Sequence, residues 1–264
     1  MSKKRKLIFA VAALIFVSFF VAFRFISKRY VAPVLMYHSV NPQSNEVMKA
    51  LIVSPSSFEK QISFLRRHDY KILPLETLVD LMFKKKLPKR AIAITFDDGY
   101  RDFYLYAFPI IKKYRVPVTM FLIVNEVSRK EGDRLTWEEI REMQGSGLVT
   151  FGSHSMDAEP LINIKSQDKV KYNIFESKRV LEDKLGSKVT MFSYPEGFLS
   201  DQIRELVIKA GYRLAVATKT GSCYLAQDPF AVKRIRISES AKNPFNLWIK
   251  ASGYHTFFKD RKCK

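Results

Sequence analysis

The chain has 264 residues, of which 47% are hydrophobic and 27% charged, enough apolar content to bury one large core and too much for a disordered chain. Lysine and arginine outnumber the acids 45 to 26, a formal net charge of +19, which favours anionic surroundings such as lipid head groups or acidic wall polymer. The cations are scattered along the chain without a helix-turn-helix, zinc-finger or RNA-binding signature, so no nucleic-acid partner is expected; Cys223 and Cys263 make neither a disulfide framework nor a paired-cysteine zinc site.

At the N-terminus, Lys3 to Lys6 form a basic cap, and Leu7 to Phe23 an apolar run whose only polar residue is Ser18. At about 1.5 Å per residue the run is slightly short for a roughly 30 Å hydrocarbon core, but Phe25 and Ile26 extend it while Arg24 can snorkel. No small-x-small cleavage site follows convincingly, so the segment reads as one uncleaved transmembrane helix rather than a signal peptide. The slight excess of cations before the span puts the N-terminus in the cytoplasm. Residues 1–29 are therefore expected to be a cytoplasmic cap and cell-membrane anchor, and 30–264 a single extracytoplasmic domain.

Beyond Pro33, short apolar runs alternate with stretches of helical period. Strands are expected at Val34 to Tyr37, Tyr70 to Leu73, Ala91 to Phe96, Val116 to Val124, Val149 to Gly152, Val189 to Tyr194, Leu214 to Thr218 and Val232 to Ile237. Between them, Phe58, Ile62 and Leu65 share a helical face, as do Val170, Ile174, Leu181 and Leu185, and Ile203, Leu206, Val207 and Ala210. Gly186 and Gly211 stand where left-handed helix caps are needed. Repeated strand and helix units require a mostly parallel sheet, and this many of them favour a closed or distorted α/β barrel. The irregular stretch 41–55 is expected as a loop over one mouth of it.

A barrel of this kind carries its active site at the carboxyl ends of its strands. His38 ends the first expected strand, Asp97 and Asp98 the third, His154 follows the fifth, and Tyr194 with Pro195 ends the sixth. His68 and His255 fall elsewhere. Two adjacent carboxylates in a confined site repel each other, and a cation relieves the repulsion: one acid then binds a metal while the other acts on water. The plainer reading of Asp97-Asp98-Gly99 is a polar turn at a strand end.

Five motifs together resemble the NodB-type polysaccharide deacetylases, carbohydrate esterase family four. They are Leu35-Met36-Tyr37-His38, Thr95-Phe96-Asp97-Asp98-Gly99-Tyr100, Gly152-Ser153-His154-Ser155, Phe192-Ser193-Tyr194-Pro195-Glu196-Gly197 and Gly211-Tyr212-Arg213-Leu214-Ala215. The resemblance implies a distorted (β/α)7 barrel that removes acetyl groups from N-acetylated polysaccharide with a divalent metal, usually zinc. It also implies Asp97 as general base, Asp98 and His154 as metal ligands, and Tyr100, Tyr194 and Pro195 as substrate-binding residues. His38, placed first in the chain as in the circularly permuted group that includes poly-N-acetylglucosamine deacetylases, takes the part of the general acid.

Two departures stand out. The family's metal motif is His-Ser/Thr-x-x-His, and here it reads His154-Ser155-Met156-Asp157-Ala158, so a third ligand must come from Glu159 or Asp157 if it comes from this loop. Ser193 stands near where many relatives carry an arginine that orients the base, a place that Arg236 or Arg234 can fill from the following strand. The missing ligand keeps a second reading open, a carbohydrate-binding pseudoenzyme with a degraded metal site.

Overall fold

The computed structural model of the chain describes residues 16–18, 20, 31–43, 50–129, 132–218 and 228–255. Among these, seven parallel strands close into a ring: β1 (Val34–Tyr37), β5 (Ala91–Phe96), β6 (Val118–Leu122), β7 (Val149–Ser153), β8 (Met191–Ser193), β9 (Leu214–Ala217) and β10 (Val232–Arg236). Closure is made by β1, which pairs with β5 on one side (Val34 opposite Ala93) and β10 on the other (Val34 opposite Arg234). A short β4 (Lys71–Ile72) adds to the first residues of β5. This is the expected α/β barrel with seven strands.

The strands are buried on both faces, which explains continuous apolar runs such as Ala91–Phe96. Val34, Ala91, Ala93, Leu214, Val216 and Val232 form an inner cluster near the amino ends of the strands, where Leu75, Leu78 and Val79 of the helix Leu75–Phe83 join them. Leu35, Tyr37, Ile92, Ile94 and Phe96 belong instead to the larger cluster shared with the surrounding helices. Within it, Tyr37 and Phe96 stack at 5.2 Å, Phe58 meets Tyr37 edge-on at 5.3 Å, and Phe103 meets Phe96 at 4.6 Å. Each buried ring stabilises the fold by about 2 kcal/mol. Their position fixes the strand ends that carry His38 and Asp97.

The expected helical faces are buried as helices Pro55–Arg67, Gln167–Leu185 and Asp201–Lys209, capped by the side chains of Ser54, Ser166 and Ser200. Gly186 and Gly211 have φ of 62° and 81°, as their capping positions require. The strand expected from Val116 begins later, at Val118, because Pro117 between them has no amide to donate. The stretch 41–55 is not wholly irregular: β3 (Ile52–Val53) pairs in parallel with β2 (Ser39–Val40), directly after His38. The expected transmembrane helix lies outside the described residues except for 16–18 and 20, which are helical; among the described residues no helix is long and apolar enough to cross a membrane.

Candidate active site

The carboxyl end of the barrel opens into a cavity lined by His38, Asp97, Asp98, Tyr100, His154, Ala158, Pro195, Arg234 and Arg236, among others. Residues dispersed over two hundred positions meet there because parallel strands all end on one side. The backbone turns sharply at the acid pair: Asp98 and Gly99 both adopt left-handed φ, 71° and 66°. A Cβ on Gly99 would stand 2.9 Å from Leu122 Cδ2, so the second position needs glycine. The turn sends the two carboxylates to different tasks.

Asp97 is buried and held from below. Nη1 and Nη2 of Arg234 donate to its Oδ1 and Oδ2, each at 2.6 Å, and Nη2 also donates to Ser193 Oγ at 2.9 Å. Arg234 starts opposite Val34, in the barrel interior, and its guanidinium lies 5.5 Å from the centre of the Phe121 ring. Burial pushes the Asp97 carboxyl up, but Arg234, His154 and His38 outweigh it and hold the group at about 2. Of the two arginines considered from sequence, Arg234 is therefore the one that orients Asp97. Arg236, two residues further along the strand, is exposed at the rim.

His154 is oriented by its backbone neighbour. Its Nδ1 lies 2.7 Å from the Ser193 carbonyl oxygen, which can only accept, so Nδ1 carries the proton. In the neutral ring Nε2 is then a free lone pair, 3.5 Å from Asp98 Oδ1 and 3.8 Å from Asp97 Oδ2. A hydrogen-bonded Nδ1 that aims Nε2 at a shared point is how metal-binding histidines are held. Two donors each about 2.1 Å from one ion at a tetrahedral angle stand about 3.4 Å apart, so the His154 and Asp98 spacing fits two corners of a zinc-like site.

The third corner is not supplied by the residues expected for it. Asp157 accepts from Asn125 Nδ2 at 2.7 Å and Glu159 pairs with Lys169 at 3.0 Å; neither lines the cavity. Among the described residues no group of three histidine, cysteine or acidic side chains is arranged to hold a metal.

The remaining expected residues are placed as follows. His38 lines the cavity, and its Nδ1 is buried without a hydrogen-bond partner. Burial lowers its pKa; Asp97 and Asp98 raise it, and Arg234 and Arg236 add to the lowering. Tyr100 forms one wall with Arg134 over its ring at 4.1 Å, and burial and Asp98 raise its hydroxyl pKa. Pro195 and Tyr194 both line the cavity, but the Tyr194 side chain is buried and its hydroxyl donates to the Phe230 carbonyl at 3.0 Å, so it shapes the wall.

Two supporting residues escaped the sequence reading. Asp102 accepts from Ser39 Oγ and, at 3.4 Å each, from the Val40 amide and Asn41 Nδ2, tying down the strand after His38. Asn173 Oδ1 accepts from Ser155 Oγ at 2.8 Å and the Asp157 amide at 3.1 Å, fastening the loop after His154. The sequence signal for each was slight: an acid five residues after Asp97, and a polar residue on a mostly apolar helical face.

Comparison with known proteins agrees with this architecture. Residues 84–215 match the polysaccharide deacetylase family model. The YxkH protein of Bacillus subtilis is 31% identical over 207 residues, 78% of this chain and 71% of that protein. A poly-beta-1,6-N-acetyl-D-glucosamine N-deacetylase of Staphylococcus aureus is 30% identical over 226 residues, covering 80% and 76%. The deacetylase PplD of Streptococcus pyogenes, solved with acetate, superposes with a TM-score of 0.75 at 28% identity, covering 84% of this chain and 98% of that one.

The chain belongs to the polysaccharide deacetylase family. It is a hydrolase of carbon–nitrogen bonds other than peptide bonds, of the class that deacetylates N-acetylated glycans. The alternative of sugar binding without hydrolysis finds no support in these relatives.

Proposed function

We propose that this chain hydrolyses acetamido groups of an extracytoplasmic N-acetylated glycan, tethered to the cell membrane by its N-terminal segment. The observation that carries this reading is the two-pronged hold of Arg234 on Asp97 beside the His154 and Asp98 pair. The Staphylococcus aureus relative is named for poly-beta-1,6-N-acetyl-D-glucosamine, which puts a β-linked N-acetylglucosamine polymer first among substrates to test.

Asp97, ionised at every working pH, accepts the proton of the attacking water. A carboxylate held at about 2 is a weak acceptor, but Arg234 fixes both its oxygens, so its contribution is alignment with a correctly charged group. Asp98 and His154 are the residues that would hold a divalent ion, zinc in the first instance; such an ion polarises an acyl oxygen and makes bound water more acidic. His38 donates to the departing amine, which leaves poorly without a proton. Burial lowers the His38 pKa, so the proton it gives to the amine is supplied within the site, by the one that Asp97 takes from the attacking water. Tyr100 and Pro195 form the walls against which the sugar packs.

The test is acetate release from a poly-N-acetylglucosamine oligomer. Asp97→Asn should fall by about 100-fold or more while keeping its fold; equal release by this variant and the parent would overturn the assignment.

A further inference from the structure

The seat formed by Asp98 and His154 has a corner that the loop following His154 does not fill. Ala158, whose methyl group has no donor atom, lines the same cavity and is exposed. Its neighbours are committed elsewhere, Asp157 to Asn125 and Glu159 to Lys169. Asp97 is engaged by Arg234 at both its oxygens and stands further from His154 Nε2, at 3.8 Å against 3.5 Å for Asp98.

Nor is the loop placed to swing one of these acids inward. Ser155 holds a left-handed φ of 80°, and its hydroxyl and the Asp157 amide both donate to the buried Asn173. Asn173 is itself fixed by donating to the Lys169 carbonyl at 3.0 Å. On the other side the amides of Val124 and Asn125 donate to the carbonyls of Ser155 and Met156, at 3.1 and 3.0 Å. Moving the loop so that Asp157 enters the cavity would break several of these bonds at once, where each lost partner is costly, whereas Glu159 is turned outward to the exposed Lys169.

We infer that this chain holds its divalent ion through two side chains only, Asp98 and His154, and that the corner at Ala158 is taken by an oxygen donor from solution. The ion is then exchangeable, and occupancy follows the free concentration of the metal. The inference rests on the proposed reading of Asp98 and His154 as ligands, and it concerns affinity, which is measured separately from acetate release.

The experiment is calorimetric titration of zinc into the chelator-stripped full chain, alongside Ala158→His, Asp157→Asn and Glu159→Gln. The parent should take up one ion, and Ala158→His, whose imidazole would project from an exposed position into the open corner, should bind it about 100-fold more tightly or better, since even supporting contacts around a metal are worth 10- to 100-fold. Asp157→Asn and Glu159→Gln should stay within about threefold of the parent, having no donor role. Adding His154→Gln should remove the gain made by Ala158→His.

Parent affinity equal to that of Ala158→His, weakened binding in Asp157→Asn or Glu159→Gln, no uptake by the parent at millimolar zinc, or a gain that survives His154→Gln would each overturn the two-ligand seat. Absent acetate release with this titration pattern intact would instead sink the assigned reaction and leave the seat standing.

Discussion

Replacing Arg234 with methionine tests the central contact of the site. The substitution keeps much of the side-chain volume and removes the guanidinium, leaving Asp97 without its partner at two bonds of 2.6 Å. The side chains of the pair are 1% and 3% exposed, so water does not replace what is lost. Breaking a buried ion pair from one side costs about 3–5 kcal/mol. Linkage gives a smaller figure: the carboxyl moves from 3.8 to about 2 on folding, worth roughly 2 kcal/mol. The first value applies to the variant, because truncation also strands a buried charge, and at about 2–4 °C per kcal/mol it corresponds to a melting temperature about 6–20 °C lower.

The sign with pH follows from the direction of the shift. A carboxyl lowered by folding contributes stability above its unfolded pKa of 3.8 and loses it as pH falls through about 2. The gap between parent and Arg234→Met should therefore be full at neutral pH and close as pH drops below about 4. Asp97→Asn added to Arg234→Met should recover part of the loss, since no buried charge then lacks a partner. Thermal unfolding followed by circular dichroism reads all three. A loss under about 1 kcal/mol at neutral pH, or a double variant no more stable than Arg234→Met, would refute the reasoning.

Other substitutions probe the supports of the site. Gly197→Ala should lower stability by about 2–4 kcal/mol, because Gly197 has φ +75° and its Cβ would lie 1.8 Å from Thr218 Oγ1 and 2.6 Å from the Thr218 amide; an unchanged melting temperature would contradict this. Asp102→Ala releases Ser39, Val40 and Asn41 just behind His38. It should reduce kcat/KM by about tenfold, with partial recovery in Asp102→Asn; identical kinetics for parent and alanine variant would rule out a positioning role. Ser193→Ala removes one acceptor of Arg234 and should cost about 1 kcal/mol in denaturant unfolding, a value near zero arguing that the hydroxyl is bystander to the pair.

The parallel barrel and the residues at its mouth were legible because both depend on local information. Strands such as Ala91–Phe96 are apolar throughout since both their faces are covered, and a residue just past a parallel strand must lie at the carboxyl end whatever the rest of the chain does. His38, Asp97, Asp98 and His154 could thus be brought together on paper. Helices such as Trp137–Gly145 and Pro244–Ala251 were passed over because two turns give too little periodicity to read.

Tertiary structure decided what those residues touch. Arg234 and Arg236 share a face of one strand, and only closure of β10 onto β1, with Val34 opposite Arg234, places the first beneath Asp97 and the second at the rim. Asp157 and Glu159 looked equal to the missing ligand in sequence. Asn173, on a helix that follows the loop, holds Ser155 and Asp157 while Lys169 pairs with Glu159, and such contacts between separate elements have no signature in the spacing of either. The sequence determined which side chains reach the mouth of the barrel, and packing between distant elements determined that Asp97 meets an arginine while His154 stands beside Asp98 in a cavity that Ala158 also lines.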